Sequence, residues 1–418
     1  MFHLAPPHTV FIWILSLAAI ACMLLRPWGL REAVWVSAGA ILLIVLRLIT
    51  PDFALNAAGE GIDVYLFLTG MMLLAELARH EGVFDWIADI AVRRSGGSAS
   101  RLFLLIYCAG IAVTALLSND ATAVVLTPAI LAAVRRARVE PKAYLLACAL
   151  VANAASFLLP ISNPANLVVY GDHMPPLGTW LRIFLLPAIA AILVTYLCLH
   201  FLSRRSLASE IKAQDGRVSL TSPGRSAFGG LIFAAAVLLT ASGLGVPLGI
   251  PTCAAAVAVM LVVGFKDRSI FRRAVVGISW SVLPLVAGLF VLVEALNSAG
   301  LLRLIEASFK WMLSQPRIIA NLAAGGGAAL FDNVMNNLPV GLAGGAALRM
   351  TPQLSHAVLI GVNIGPNLSV TGSLATILWL MALRREDVGM TRAQFFKTGL
   401  VVTPAALVCS LLALWFTT

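Results

Sequence analysis

Ser-Asn-Asp-Ala-Thr, residues 118–122, breaks an apolar run with side chains that hydrogen-bond or ionise, and Phe-Asp-Asn-Val-Met-Asn-Asn, residues 331–337, breaks another. In hydrocarbon such groups are costly unless they are paired, so they need a reason to be there. Asp120 and Asp332 each place a carboxyl in a low-dielectric setting, where an ionisable residue is usually functional, and both suit a proton carrier. Asp is also favoured as the cap of a half-helix N-terminus, and the two roles are compatible. Ser118, Asn119, Thr122, Asn333, Asn336 and Asn337 supply donors and acceptors. They suit a neutral polyhydroxyl solute, a small cation, or simply the chain's own broken backbone. Two further breaks follow: Ser162, Asn163 and Asn166 in ISNPANL (161–167), and Thr371, Gly372, Ser373 and Thr376 in VTGSLATI (370–377). Pro164 removes a backbone donor and Gly372 relaxes the chain, so both are expected to interrupt a helix. Four converging breaks would form a polar cavity inside the membrane.

The elements that must position these residues are helices in lipid. Of the 418 residues, 60% are hydrophobic and 11% charged, with apolar runs of about 20 residues recurring from end to end, which is the pattern of an all-α polytopic membrane protein. Ten transmembrane spans are expected near 9–25, 33–49, 62–79, 143–170, 181–202, 226–243, 249–265, 279–297, 354–383 and 397–416. Segments 101–134 and 316–348, each with a polar break, are expected to be re-entrant hairpins. The first run is not preceded by a basic segment, so it reads as a retained helix rather than a signal peptide. A net charge of +10 can mark a nucleic-acid partner, but here the basic residues fall between spans. With both termini on the periplasmic side of an inner membrane, 23 of the 29 Lys and Arg lie on the inner side. No GxxxxGK[ST] occurs, so an ATP-driven form would need a separate subunit.

The chain also repeats itself. Residues 70–87 align with 288–305, matching Gly70 to Gly288, Glu76 to Glu294 and Gly82 to Gly300 at a constant spacing of 218. Two halves are therefore expected: 1–202 with hairpin 101–134 and interrupted helix 143–170, and 226–418 with hairpin 316–348 and interrupted helix 354–383. A cytoplasmic linker, 203–225, joins them. The hairpins would enter from opposite faces, giving the inverted-topology repeats of secondary transporters, with binding near the midplane. Matching Asn153 to Asn363 makes the two interrupted helices equivalent, and Asp120 and Asp332 are expected in corresponding hairpin breaks. Glu76 and Glu294 are expected to form ion pairs near helix ends, with Arg79 and Arg303 respectively. The six cysteines stand singly in apolar runs, with no metal-ligand spacing and no disulfide framework, and no cofactor is implied. Trp28, Trp35, Trp180, Trp280 and Trp311 fall near proposed interfaces, as membrane anchors do.

SNDATAVVLTP, FDNVMNNLPVGL, GPNLSVTGSLATILW and the ending TRAQFFKTG (391–399) together closely resemble the arsenical pump membrane proteins, the arsenite and antimonite efflux family of the ion transporter superfamily. The resemblance covers essentially the whole chain. It implies export of trivalent arsenic or antimony hydroxide in exchange for protons, with possible association with an arsenical ATPase. The superfamily's Ser-Asn-Thr hairpin tip is matched by Ser118, Asn119, Asp120 and by Asp332, Asn333, Val334. Both copies depart from the form used by sodium-coupled carboxylate transporters. That reading stays open as the alternative, together with a sodium/proton exchanger. An intramembrane aspartyl protease using Asp120 and Asp332 is a third class, and the chain lacks its GxGD motif.

Overall fold

The computed structural model describes residues 7–208, 211, 218–265, 269–349 and 351–418. The expected linker 203–225 falls partly on 209–210 and 212–217, outside the described residues. All regular structure among the described residues is helical. The first half contains α1 (Pro7–Leu25), α2 (Glu32–Val45), α3 (Pro51–Gly59), α4 (Ile62–His80), α5 (Val83–Arg94), α6 (Ala99–Leu116), α7 (Thr127–Arg136), α8 (Lys142–Ala154), α9 (Pro164–Tyr170) and α10 (Leu177–Ser203). The second half follows the same order with α11 (Ser222–Gly243), α12 (Gly249–Gly264), α13 (Ser269–Gly277), α14 (Val282–Ser298), α15 (Leu301–Leu313), α16 (Arg317–Met335), α17 (Asn337–Leu348), α18 (Ser355–Ile364), α19 (Leu374–Arg385) and α20 (Arg392–Thr417).

Among the described residues seven helical stretches are long and apolar enough to cross a bilayer, and α3 with α4, bent by 53°, makes an eighth if the pair is one span. Each of the ten expected spans falls on helix, two of them on the broken pairs α8/α9 and α18/α19. The expected hairpins have unequal arms. Their first arms, α6 and α16, are 18 and 19 residues long, each enough for a full crossing, while α17 has only 12. Four helices had no counterpart in the hydropathy reading: α3, α5, α13 and α15. Of these, α5 buries Val83, Phe84, Ala88 and Ala91 while leaving Arg93 and Arg94 exposed. Apolar on one face and only 12 residues long, it lacks the continuous run that marks a span.

The matched glycines of the repeat now have a cause. Gly82 (φ +70°) and Gly300 (φ +102°) each turn the chain in a left-handed conformation between a spanning helix and the short helix after it. A side chain there would be strained. Close packing places glycines elsewhere: a Cβ on Gly361 of α18 would overlap the Gly325 carbonyl of α16, and one on Gly365 would lie 2.6 Å from Asp332 Oδ2. These two helices therefore touch backbone to backbone across the second hairpin, as small residues permit in membranes.

Candidate functional site

At the first hairpin the chain breaks at Leu117, after which residues 121–126 wind in a wider turn, with Thr127 N–H and its hydroxyl both donating to the Thr122 carbonyl. Pro128 has no N–H to continue the ordinary ladder, which accounts for the wider winding. The break is held by its own side chains. Ser118 Oγ accepts from Ala121 N–H (3.1 Å), Asn119 Oδ1 from Asp120 N–H (2.9 Å), and the Thr114 and Thr122 hydroxyls meet at 2.8 Å across the two arms. Asp120 stands at the head of the second arm, partly exposed to a cleft.

That cleft, about 100 Å³, lies between α4, the first hairpin, the α13–α14 junction and the first residues of α9 and α19. Ser118 and Asp120 line it with Met71, Met72, Pro164 and Leu374. So does Glu76, which the sequence places only in an ion pair. The pair is present: Arg79 Nε donates to Glu76 Oε2 (3.0 Å), and His80 Nε2 lies 3.2 Å from Oε1. The second-half counterpart differs from expectation, since Glu294 accepts from Asn297 Nδ2 (3.2 Å) rather than facing Arg303. Asn297 is the residue 218 positions after Arg79, so the repeat keeps the spacing and drops the charge.

The second hairpin corrects the sequence alignment. Its break is at Asn336 (φ +78°), whereas Asp332 and Asn333, expected in the break, are in the last turn of α16. At the spacing of 218 that relates α6 to α16, Ser118 corresponds to Asn336, Asn119 to Asn337 and Thr114 to Asp332. Asp120 and Asp332 are thus not equivalent. Asp332 is fully buried beside Gly365, and neither carboxyl oxygen has a hydrogen-bond partner. Asn333 Nδ2 donates to the Ala329 and Gly365 carbonyls (2.7 and 3.1 Å), and its Oδ1 accepts from Ser369 Oγ (2.6 Å). Asn336 Nδ2 donates to the Thr371 carbonyl (3.3 Å), and Thr371 Oγ1 to the Asn333 carbonyl (3.2 Å). Gly372 packs against Pro366 within the same cluster, while Asn337 is buried as the first residue of α17.

The two interrupted helices follow one backbone path at a spacing of 210. Asn153 falls on Asn363, extended Leu159 on extended Ser369, and the N-cap Asn163 on the N-cap Ser373. Asn163 Oδ1 accepts from Ala165 N–H (2.9 Å), and Ser373 Oγ from Thr376 N–H (3.1 Å) with the Thr376 hydroxyl at 2.6 Å. Asn363 is the hub between them. Its Oδ1 accepts from Ser156 Oγ (2.5 Å) and Asn163 Nδ2 (2.8 Å), while its Nδ2 donates to Asn166 Oδ1 (3.0 Å) and to the Leu359 carbonyl (2.9 Å). Asn153 Nδ2 adds a bond to Asn367 Oδ1 (2.9 Å). Asn166 also donates to the Ser156 and Pro160 carbonyls, and Ser162 Oγ to the Ala115 carbonyl (3.1 Å) on α6.

Three groups of polar residues therefore meet: the cleft at the first hairpin, the cluster at the second, and an amide lattice joining the interrupted helices. The lattice occupies the hydrogen-bonding groups of Asn163 and Asn166. Asn153, Ser156, Asn367 and Ser369 belong to these groups too, and the sequence reading assigned none of them a site role. Their signal was the density of short polar residues in GPNLS and on either side of Ala154 and Ala155.

Helices broken around a polar centre, within an apolar helical protein, define a membrane transporter. The chain belongs to the citrate transporter (CitMHS) family, whose model matches residues 10–383. It is 26% identical over 417 residues to an arsenical pump membrane protein of Escherichia coli, covering 94% of this chain and 96% of that one. To the arsenical pump membrane protein of Yersinia enterocolitica it is 27% identical over 361 residues, covering 82% and 84%. The crystal structure of the Alcanivorax borkumensis YdaH transporter, noted for its unusual topology, matches with a TM-score of 0.58 over 98% of both chains at 16% identity. That last likeness is one of fold.

Proposed function

We propose that the protein exports trivalent arsenic and antimony hydroxides across the inner membrane in exchange for protons, with Asp120 and Asp332 as the proton-coupling carboxyls. The observation that carries this reading is the composition of the cleft: among the described residues its lining includes the carboxylates of Asp120 and Glu76, the Ser118 hydroxyl and two methionines, and no Lys or Arg. A tricarboxylate brought there would meet like charge with no guanidinium or ammonium to offset it. Arsenite near pH 7 is mostly neutral and presents hydroxyls, which the Ser118 hydroxyl and the carboxylate oxygens of the cleft can hydrogen-bond. A volume near 100 Å³ also favours the smaller solute.

The hairpins and interrupted helices belong, on this reading, to two inverted repeats that move against the scaffold helices to alternate access. Both termini lie on the periplasmic side, and the basic loops, including 203–225, on the cytoplasmic one. A separate arsenical ATPase could dock on those loops. Sodium-coupled carboxylate transport is the second reading, favoured by the name of the family. Everted membrane vesicles decide between them. Arsenite accumulation driven by an imposed pH gradient, without ATP or sodium, and abolished by a protonophore supports the proposal. Sodium-dependent citrate accumulation with no arsenite uptake overturns it.

A further inference from the structure

Glu76 lines the cleft, and the transport reading uses only its charge. Its carboxylate sits against Gly277, where even a Cβ would collide with it, so the wall of the cleft is shaped around this side chain. The Glu76 side chain faces the cleft that Asp120 lines. Its Oε1, the atom packed against Gly277, also meets His80 Nε2 at 3.2 Å, and the His80 side chain is 26% exposed at the end of α4. We infer that Glu76 and His80 conduct protons between the cleft and the aqueous face at the C-terminal end of α4. This rests on the reading of Asp120 as a proton carrier.

The transfer balances without a further reactant. Asp120 releases its proton into the cleft, whose ~100 Å³ has room for about three water molecules at ~30 Å³ each. Glu76 accepts the proton and passes it to His80 Nε2, and the imidazole returns a proton to water. Glu76 and His80 each end in their starting charge, while Asp120, the donor, ends as the carboxylate the proton has left. A histidine suits the exposed end because its ring nitrogens can both accept and release a proton. The Arg79 guanidinium fixes the Glu76 carboxylate towards the end of α4. Around Glu76, α4 itself adds Arg79 and His80, the half-buried Glu81 follows as its C-cap, α5 adds Asp85 near Arg79, and the first hairpin adds Asp120. On α13, Arg272 and Arg273 are exposed, and α9, α14 and α19 bring no charged residue to the cleft lining.

The repeat supplies the control. In the second half Glu294 is followed by Asn297 and Ser298 where the first half has Arg79 and His80, so only one half carries an imidazole at this place. Proton movement along this path is therefore confined to one face of the protein.

The test uses the full-length protein in everted vesicles, with radiolabelled arsenite as the probe. Two rates are compared: uptake driven by a pH gradient, and arsenite-for-arsenite exchange, which moves no net proton. In His80→Gln the ratio of driven uptake to exchange is expected to fall on the order of tenfold or more, its pH profile to flatten, and added imidazole to restore both. Glu76→Gln should lower the ratio without rescue by imidazole. A wild-type ratio and pH profile in His80→Gln overturns the relay. Equal loss of uptake and exchange, insensitive to imidazole, also overturns it and assigns the cluster to structure. Arsenite uptake by the wild type that ignores the gradient removes proton coupling altogether, and the relay with it.

Discussion

Replacing Asn363 with Ala should destabilise the protein more than any other single change in the lattice. Asn363 is fully buried and makes three hydrogen bonds to the other half of the chain, to Ser156, Asn163 and Asn166, besides one within its own helix. Interhelical hydrogen bonds in membranes average about 0.6 kcal/mol and reach about 1.7, so three give roughly 2–5 kcal/mol. Stranding Asn166 Oδ1 in a dry interior, at about 1–3 kcal/mol, reaches the lower part of that range, since Ser156 Oγ still donates to the Asn153 carbonyl (2.7 Å). The measurement is reversible unfolding in mixed micelles, wild type against Asn363→Ala. Pairing it with Asn166→Ala adds a coupling energy, expected at about 0.5–3 kcal/mol because the two side chains share a bond. A loss below ~0.5 kcal/mol for the single variant, or strict additivity in the double, refutes the lattice as a source of stability.

Asp120→Asn and Asp332→Asn should behave differently, because one faces the cleft and the other is enclosed beside Gly365. Asp120→Asn is expected to uncouple uptake from the pH gradient, and Asp332→Asn mainly to weaken arsenite binding, read as a raised KM; identical near-normal transport by both would dismiss both as proton carriers. Gly361→Leu puts a branched side chain against the Gly325 carbonyl, so a loss of about 1–3 kcal/mol or more should appear in thermal unfolding. Arg135→Ala removes an ion pair with Glu386 whose partners are both about half exposed (N···O 3.0 Å), and the stability change should stay under ~1 kcal/mol and shrink with added salt.

The helical class and the ten spans could be read from the sequence because long apolar runs have few alternatives in lipid. The four polar breaks were legible for the same reason: each interrupts such a run. Short amphipathic helices such as α5 and α15 leave a weaker mark, since four of their 12 and 13 residues respectively are polar or charged and interrupt the apolar run. Asp332 was misplaced because its neighbours Asn333, Asn336 and Asn337 all look like break residues, and only backbone geometry puts the turn at Asn336. Asn163 and Asn166 illustrate a deeper ambiguity. An amide that binds a solute and an amide that binds a facing helix are the same residue in the same apolar context, and composition cannot separate them. Glu76 was read locally, as the partner of Arg79, whereas its position on the cleft depends on α13 and α14, some 200 residues later.

The lattice also has a consequence for biogenesis. Every bond it makes across the two broken helices joins residues 197–217 positions apart, from Leu150, Asn153, Ser156, Asn163 and Asn166 to Asn363 and Asn367. At a synthesis rate of about 5–20 residues per second, the first broken helix therefore waits roughly 10–40 s in the bilayer for its partner to be made. During that interval its amides face lipid, water drawn into the bilayer, or a membrane chaperone. A ribosome-stalled chain ending near residue 340 should accordingly be more open to membrane proteases than one that has released Asn363 and Asn367.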